Sequence, residues 1–384
     1  MGGNVSSSGL IPAGRSELKA LWVSTDTQTR GGIATYVRDI RDTALWADWN
    51  IRHVATHRDG SKWTKLAAFI GGASTFALEL IRFRPNLVHL HSSADASFVR
   101  KAILLWVSRL AGFPVVLHMH GSDFQDFYDS SPTMLRAAIR ASLCRANAVV
   151  ALGDAWAARL RTIAPEARIV VIPNAVRPAR PVRQPEPGQP VRVVFLGRIG
   201  DRKGSFRLLH AWAALDAPAA ALTIVGDGDV ERAQRLIAEL GLQDQVEVRD
   251  WLSPDSVGEL LNLCHILVLP SRQEGQPMAV LEAMARGLCI VASDVGGLAE
   301  MIGGGCGVIV SPDDVGSIAD GLRLAIEDSE LRRRYGAAAF DRIAERYDVR
   351  SVVRLIDALY RDILASSAPV VAAAARPLDS SSLH

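Results

Sequence analysis

Two series of short apolar runs, rich in β-branched residues and separated by longer stretches of helical spacing, constrain this chain more than any other feature. The first series falls at residues 20–24, 51–56, 87–91, 115–119, 148–152 and 169–172. Strands that alternate with helices predict a parallel sheet with crossover helices. Several of these runs are apolar at every position, so the strands need helices on both faces of the sheet. The second series falls at 191–196, 222–225, 246–249, 266–269, 290–292 and 308–310. Between the two lie Pro178, Pro181, Pro185, Pro187, Gly188 and Pro190, which interrupt regular backbone hydrogen bonding. The predicted organisation is a disordered leader over 1–17, an α/β domain over 18–176, a linker over 177–190 and a second α/β domain over 191–345. A helix over 346–365 crosses back to the first domain, and 366–384 form an Ala, Ser and Pro-rich tail.

Composition narrows the function classes. A chain of 384 residues, 49% hydrophobic, buries a core in each half. Its 43 basic and 41 acidic residues leave a formal charge of +2, too small for a global field that would draw nucleic acid. Cys144, Cys264, Cys289 and Cys306 are widely spaced with no Cys-x-x-Cys pair. Neither a zinc site nor a disulfide framework is predicted, and a cytoplasmic setting is expected. No basic-then-apolar segment opens the chain, and apolar runs such as 102–107 fall short of a bilayer span. The opening Met1-Gly2-Gly3-Asn4-Val5-Ser6 formally matches an N-myristoylation pattern, although a Gly/Ser leader is the preferred reading.

The densest chemical signal is residues 270–287, which follow a buried strand. Pro277 suits a first helical turn and Gly287 a helix stop. Glu274 then lies in the loop before a helix, and Glu282 more than one turn inside it. The helix start leaves the amides of Met278, Ala279 and Val280 for an anion. A diphosphate there holds its nucleoside toward Glu282 and its sugar toward Glu274. The second signal, residues 195–204, ends the first strand of the second domain. Strand carboxyl ends bind ligands in open α/β sheets, and Arg198 with Lys203 can neutralise a departing diphosphate without a metal. Arg202 is a weaker candidate for the same role.

With its Glu-x7-Glu pair at Glu274 and Glu282, the chain resembles the retaining glycosyltransferases of family 4, also called glycosyl transferases group 1, from about residue 21 to 363. The resemblance implies a GT-B fold, two Rossmann-like domains facing a central cleft. It implies that Glu274 contacts hydroxyls of the donor sugar, Glu282 the ribose, and Arg198 and Lys203 the phosphates. This chain reads Gln276-Pro277-Met278 where many members read Phe-Gly or Leu-Pro-Met, a variation next to the sugar.

Gly31 and Gly32 follow the first strand and precede a helix, suiting close backbone approach to a phosphate. The resemblance places His120, at the end of the strand 115–119, near the donor sugar, while His118 is expected inside the fold. Asn174, in the Ile172-Pro173-Asn174-Ala175-Val176 segment, is expected to brace the cleft. Glu300, after Gly296-Gly297, is expected to be structural. The glycine clusters at 303–307 and 226–228 lack the order or number that a dinucleotide fingerprint requires.

The segments 63–84 and 98–110 mix apolar residues with Lys62, Lys65, Arg82, Arg100, Lys101 and Arg109. Helices packed on a sheet are the expected explanation; peripheral contact with an anionic membrane is the alternative. The function expected is transfer of a hexosyl group, mannosyl or glucosyl in type, from a GDP- or UDP-sugar to a hydroxyl of a glycan or lipid-linked acceptor with retention. No further cofactor or metal is expected. A nucleotide-sugar epimerase, or a catalytically silent binding subunit, is the alternative.

Overall fold

The computed structural model describes residues 17–186, 188–215 and 219–367. Nearly all of the predicted leader and tail, with the N-myristoylation pattern, therefore lie outside the described residues. The strands are β1 Ala20–Ser24, β2 Arg52–Ala55, β3 Leu87–Ser92, β4 Val115–Met119, β5 Ala148–Ala151 and β6 Ile169–Val171, then β7 Val191–Leu196, β8 Ala220–Val225, β9 Val246–Arg249, β10 Ile266–Leu269, β11 Cys289–Ser293 and β12 Val308–Val310. They form two six-stranded parallel sheets of order β2-β1-β3-β4-β5-β6 and β12-β11-β10-β7-β8-β9. The order reverses between β1 and β3 in the first sheet and between β7 and β10 in the second. At such a reversal the flanking loops part and leave a crevice at the strand carboxyl ends.

Two apolar layers sandwich the first sheet. One face carries Leu21, Val23, Val88, Leu90, Leu117 and Met119 under the helices Lys62–Arg82, Asp95–Leu110, Thr133–Arg145 and Asp154–Ile163. The other face carries Trp22 and Val116 under the helix Gly32–Arg41 and the last helix, Val349–Ser367. That last helix buries Val349, Val352, Ile356, Leu359, Tyr360 and Ile363 in the first domain's core. Each such side chain contributes about 1.5–3 kcal/mol when removed from water, enough to hold the helix against the first sheet. Trp22 Nε1 donates to the Tyr360 hydroxyl at 2.9 Å, and Trp49 Nε1 to Asp357 at 2.8 Å.

The backbone passes between the sheets twice, and the two passages run side by side. The Val176 amide donates to the Tyr347 carbonyl at 2.9 Å, and the Val349 amide donates to the Val176 carbonyl at 3.0 Å. Just before this point a turn of π-helix spans Ile343–Tyr347.

Candidate active site

The carboxyl ends of the two sheets face each other across a gap lined by loops from both. On the second-domain side, β10 leads through Ser271 and Glu274 into the helix Met278–Met284. Pro277 has φ −69° and ψ 125° and caps this helix from outside, where its missing amide removes no helical bond. Val280 donates back to the Pro277 carbonyl at 3.1 Å. Only Met278 and Ala279 therefore remain of the three amides expected for an anion. The helix is seven residues long, so these local amides matter more than any macrodipole. Gly287, φ +68°, ends the segment.

Glu274 is 7% exposed. One of its carboxylate oxygens lies 2.5 Å from Lys203 Nζ, which brings together two residues assigned to different parts of the donor. Gly296, at φ +55°, packs so closely on the Glu274 carbonyl that any Cβ there would collide with it. Arg198 is exposed and makes no ion pair among the described residues, so its charge remains available beside Lys203. Arg202 is exposed as well.

Glu282 projects from the same helix toward the first domain. Burial and the Asp39 carboxylate push its pKa up to about 7, opposed by Arg286 and Arg38. Asp39, on the helix Gly32–Arg41, is in turn pushed up by burial to about 6. Sequence reading passed over Asp39: a lone acid on an amphipathic helix has no spacing signature.

On the first-domain side, Gly31 caps the helix Gly32–Arg41 with φ +129°, and a Cβ placed on it would meet nothing within 4 Å. A Cβ on Gly32 would lie 3.4 Å from Met278 Cγ. The glycine pair thus faces the start of the Met278–Met284 helix across the gap. Arg30 and Asp227 close one end of the gap with an ion pair at 3.1 Å.

Two residues expected at the donor also make contacts within the fold. The Gln276 side-chain amide is engaged across the two domains. Its Oε1 accepts from the Asn174 amide at 2.8 Å, its Nε2 donates to the Leu152 carbonyl at 2.6 Å, and Asn174 Nδ2 donates to its carbonyl at 2.9 Å. Both ends of the amide are engaged with the first domain because the residue is buried and must satisfy its polar atoms there. Gln276 is a tie between domains, and Asn174 braces the cleft as its partner. Glu300 adds a second tie by accepting from the Ala155 amide at 2.7 Å, at the start of the helix Asp154–Ile163.

The other is His120. It lines a small cavity with Glu274, Gly275 and Glu300, yet its ring belongs to a buried array on one face of the first sheet. His89 and His91 alternate along β3, His118 lies opposite His91 on β4, and His120 follows two residues later. His118 and His120 stack with centroids 4.2 Å apart, and His91 Nδ1 lies 3.0 Å from His120 Nε2. That nitrogen is therefore engaged inside the fold. Burial pushes His89 and His120 down to about 3, and His91 and His118 well down, so all four rings are neutral at neutral pH.

Ring nitrogens of His89, His91 and His118 come within 4.8 Å of one another. Their rings lie 14° to 32° from parallel, however, so lone pairs in the ring planes run alongside each other and do not converge on one ion. The arrangement is that of a packed array.

Fold and site define an α/β enzyme of GT-B architecture, with two parallel-sheet domains and a cleft between their carboxyl edges. The chain belongs to the family 4 glycosyltransferases: residues 30–180 match Glycosyltransferase Family 4 and residues 176–342 match Glycosyl transferases group 1. It is 30% identical to 2-deoxystreptamine N-acetyl-D-glucosaminyltransferase of Streptomyces fradiae, over 72% of this chain and 70% of that protein. It is also 30% identical to GDP-mannose:cellobiosyl-diphosphopolyprenol alpha-mannosyltransferase of Xanthomonas oryzae, over 73% and 74%. HepE of Anabaena, solved with UDP and glucose, shares the fold with a TM-score of 0.71 at 21% identity, over 90% of this chain and all of that one. The protein is a glycosyltransferase.

Proposed function

We propose that this glycosyltransferase is retaining and metal-independent, and moves a hexosyl group from a GDP- or UDP-hexose to a hydroxyl of a glycan or lipid-linked acceptor at the cytoplasmic face of a membrane. One observation carries the reading: Lys203 is held against Glu274 at 2.5 Å, with Arg198 exposed nearby and in no ion pair among the described residues. One cation held by its ion pair and a second exposed beside it supply positive charge where the leaving diphosphate gains negative charge. Such preorganised stabilisation acts on the transition state more than on the bound donor.

In the proposed step the bond from the anomeric carbon to the diphosphate oxygen breaks. The acceptor oxygen bonds to the same face of that carbon, and its proton passes to the departing phosphate. Arg198, Lys203 and the Met278 and Ala279 amides hold the diphosphate. Glu274 accepts hydrogen bonds from sugar hydroxyls, and Glu282 from the ribose. The cross-domain ties of Gln276 and Glu300 keep the cleft closed, excluding water that would hydrolyse the donor. Nucleotide release in the presence of a chelator, with GDP-mannose, UDP-glucose and UDP-N-acetylglucosamine compared, tests the proposal. Release should need an acceptor, survive chelation and vanish in Lys203→Ala and Glu274→Ala. Turnover unchanged in both variants, or an inverted anomeric centre in the product, would overturn it.

A further inference from the structure

The helix Lys62–Arg82 is 21 residues long with a mean hydropathy of 1.3 in its most apolar stretch, yet little of it is buried. Trp63, Leu66, Ile70, Leu78 and Ile81 form an outward stripe, with Trp63 79% and Ile81 70% exposed. The polar residues in this stretch do not interrupt it. Ser74 Oγ donates to the Ile70 carbonyl and Thr75 Oγ1 to the Gly71 carbonyl, each at 3.0 Å. Both hydroxyls are thus satisfied within the helix and can face an apolar phase at low cost. Packing on the sheet, the preferred sequence explanation, accounts only for Gly72, Phe76 and Leu80 on the opposite side.

The stripe continues over neighbouring helices. Asp95–Leu110 exposes Ile103, Val107 and Leu110, and Thr133–Arg145 exposes Met134. Lys62, Lys65, Arg82, Arg100, Arg109, Arg140 and Arg145 rim these helices, and none is in an ion pair among the described residues. Of the acids on the three helices, Glu79 is neutralised by Arg52 at 2.9 Å, leaving Asp95. An apolar stripe rimmed by unneutralised cations is complementary to a bilayer with anionic headgroups. The helix does not span that bilayer. A Cβ on Gly72 would collide with the Ala55 carbonyl, so the helix is seated too closely on the end of β2 to leave its domain.

We infer that the outer face of Lys62–Arg82, with the adjoining exposed edges of Asp95–Leu110 and Thr133–Arg145, docks in the plane of an anionic phospholipid surface. The helices Lys62–Arg82 and Asp95–Leu110 start beyond the carboxyl ends of β2 and β3, the edge that faces the cleft. Docking therefore sets the cleft mouth beside the headgroups, where a lipid-borne acceptor hydroxyl enters. Acceptor delivery rests on the transfer reading above; docking does not.

Sedimentation of the full chain with vesicles tests docking without donor or acceptor, so its failure is distinct from failure of the transfer assay. Phosphatidylglycerol-containing vesicles should pellet the protein and phosphatidylcholine vesicles should not. Lys62→Gln with Lys65→Gln should weaken partitioning about fivefold per residue removed, the worth of one basic side chain at such a surface. Trp63→Glu with Ile81→Glu should abolish it while thermal unfolding stays unchanged. Binding to neither vesicle, equal binding to both, or binding indifferent to the Trp63 and Ile81 pair overturns the inference. A dimer in sedimentation velocity that the same pair dissolves overturns it too, by assigning the face to a second copy.

Discussion

Lys203 Nζ and a carboxylate oxygen of Glu274 lie 2.5 Å apart across 71 residues of sequence, so the cation assigned to the phosphates and the carboxylate assigned to the sugar hold each other. Removing one partner leaves the other charged and mostly buried. Lys203→Met should cost about 3 kcal/mol of stability in urea unfolding, and Lys203→Met with Glu274→Gln should recover most of it. Both variants should lose about 100-fold or more in kcat, so stability recovers in the double variant while activity does not. Additive stability losses would show that the ion pair contributes nothing.

The facing carboxyls of Glu282 and Asp39 predict a pH dependence whose sign follows from linkage. Their folded pKa values, about 7 and about 6, lie above the ordinary carboxylate range. The folded protein therefore holds protons that the unfolded chain has released, and donor-free stability falls as pH rises from about 4.5 toward 7. Glu282→Gln should flatten that fall in thermal unfolding. Nucleotide affinity should move the other way, strengthening as pH rises through about 7, because the ionised carboxylate is the better acceptor for a ribose hydroxyl. A titration in which affinity is level from pH 6 to pH 8 would remove Glu282 from the ribose.

The histidine array makes a contrasting prediction. With His89 and His120 held down at about 3, none of the four rings should titrate between pH 5 and 8 in nitrogen-15 NMR. The unfolded chain takes up protons at about 6.5 that the folded array refuses, so these groups add stability as pH rises from about 3 to 6.5. A ring titrating near 6.5 would mean that the array opens to solvent.

Gln276→Ala removes the two side-chain bonds to Leu152 and Asn174. The donor-free protein should then open, with a larger radius of gyration in small-angle scattering. kcat/KM should drop about tenfold, because the lost contacts bias closure without touching the reacting atoms.

The strands were legible because burial on both faces writes itself as continuous apolar runs. Each run read from the sequence is a strand, with no end shifted by more than two residues. The Glu274 to Glu282 segment was legible for a related reason: loop, proline and terminal glycine occur in order within the 18 residues that follow a buried strand. The ties were not. Gln276 reads like any polar loop residue, and its partners are 102 and 124 positions away. Asp39 faces Glu282 only because two helices from different domains meet. The histidines alternate with apolar residues on two strands, a pattern that locates them on one face but does not say that four imidazoles will stack there. The exposure of Lys62–Arg82 was hidden because an apolar stripe reads the same whether it meets protein or lipid.

The paired passages at Val176 and Tyr347–Val349 work like the spine of a book. A single bridge between Val176 and Asp348 joins the two passages, so the halves share one short line about which a hinge turns. The covers can therefore part along a single angle, and each closing returns Gly32 to Met278 and Asp39 to Glu282 in the same alignment. A substitution at the spine is expected to change the rate of opening, read as a change in kcat, without touching either page.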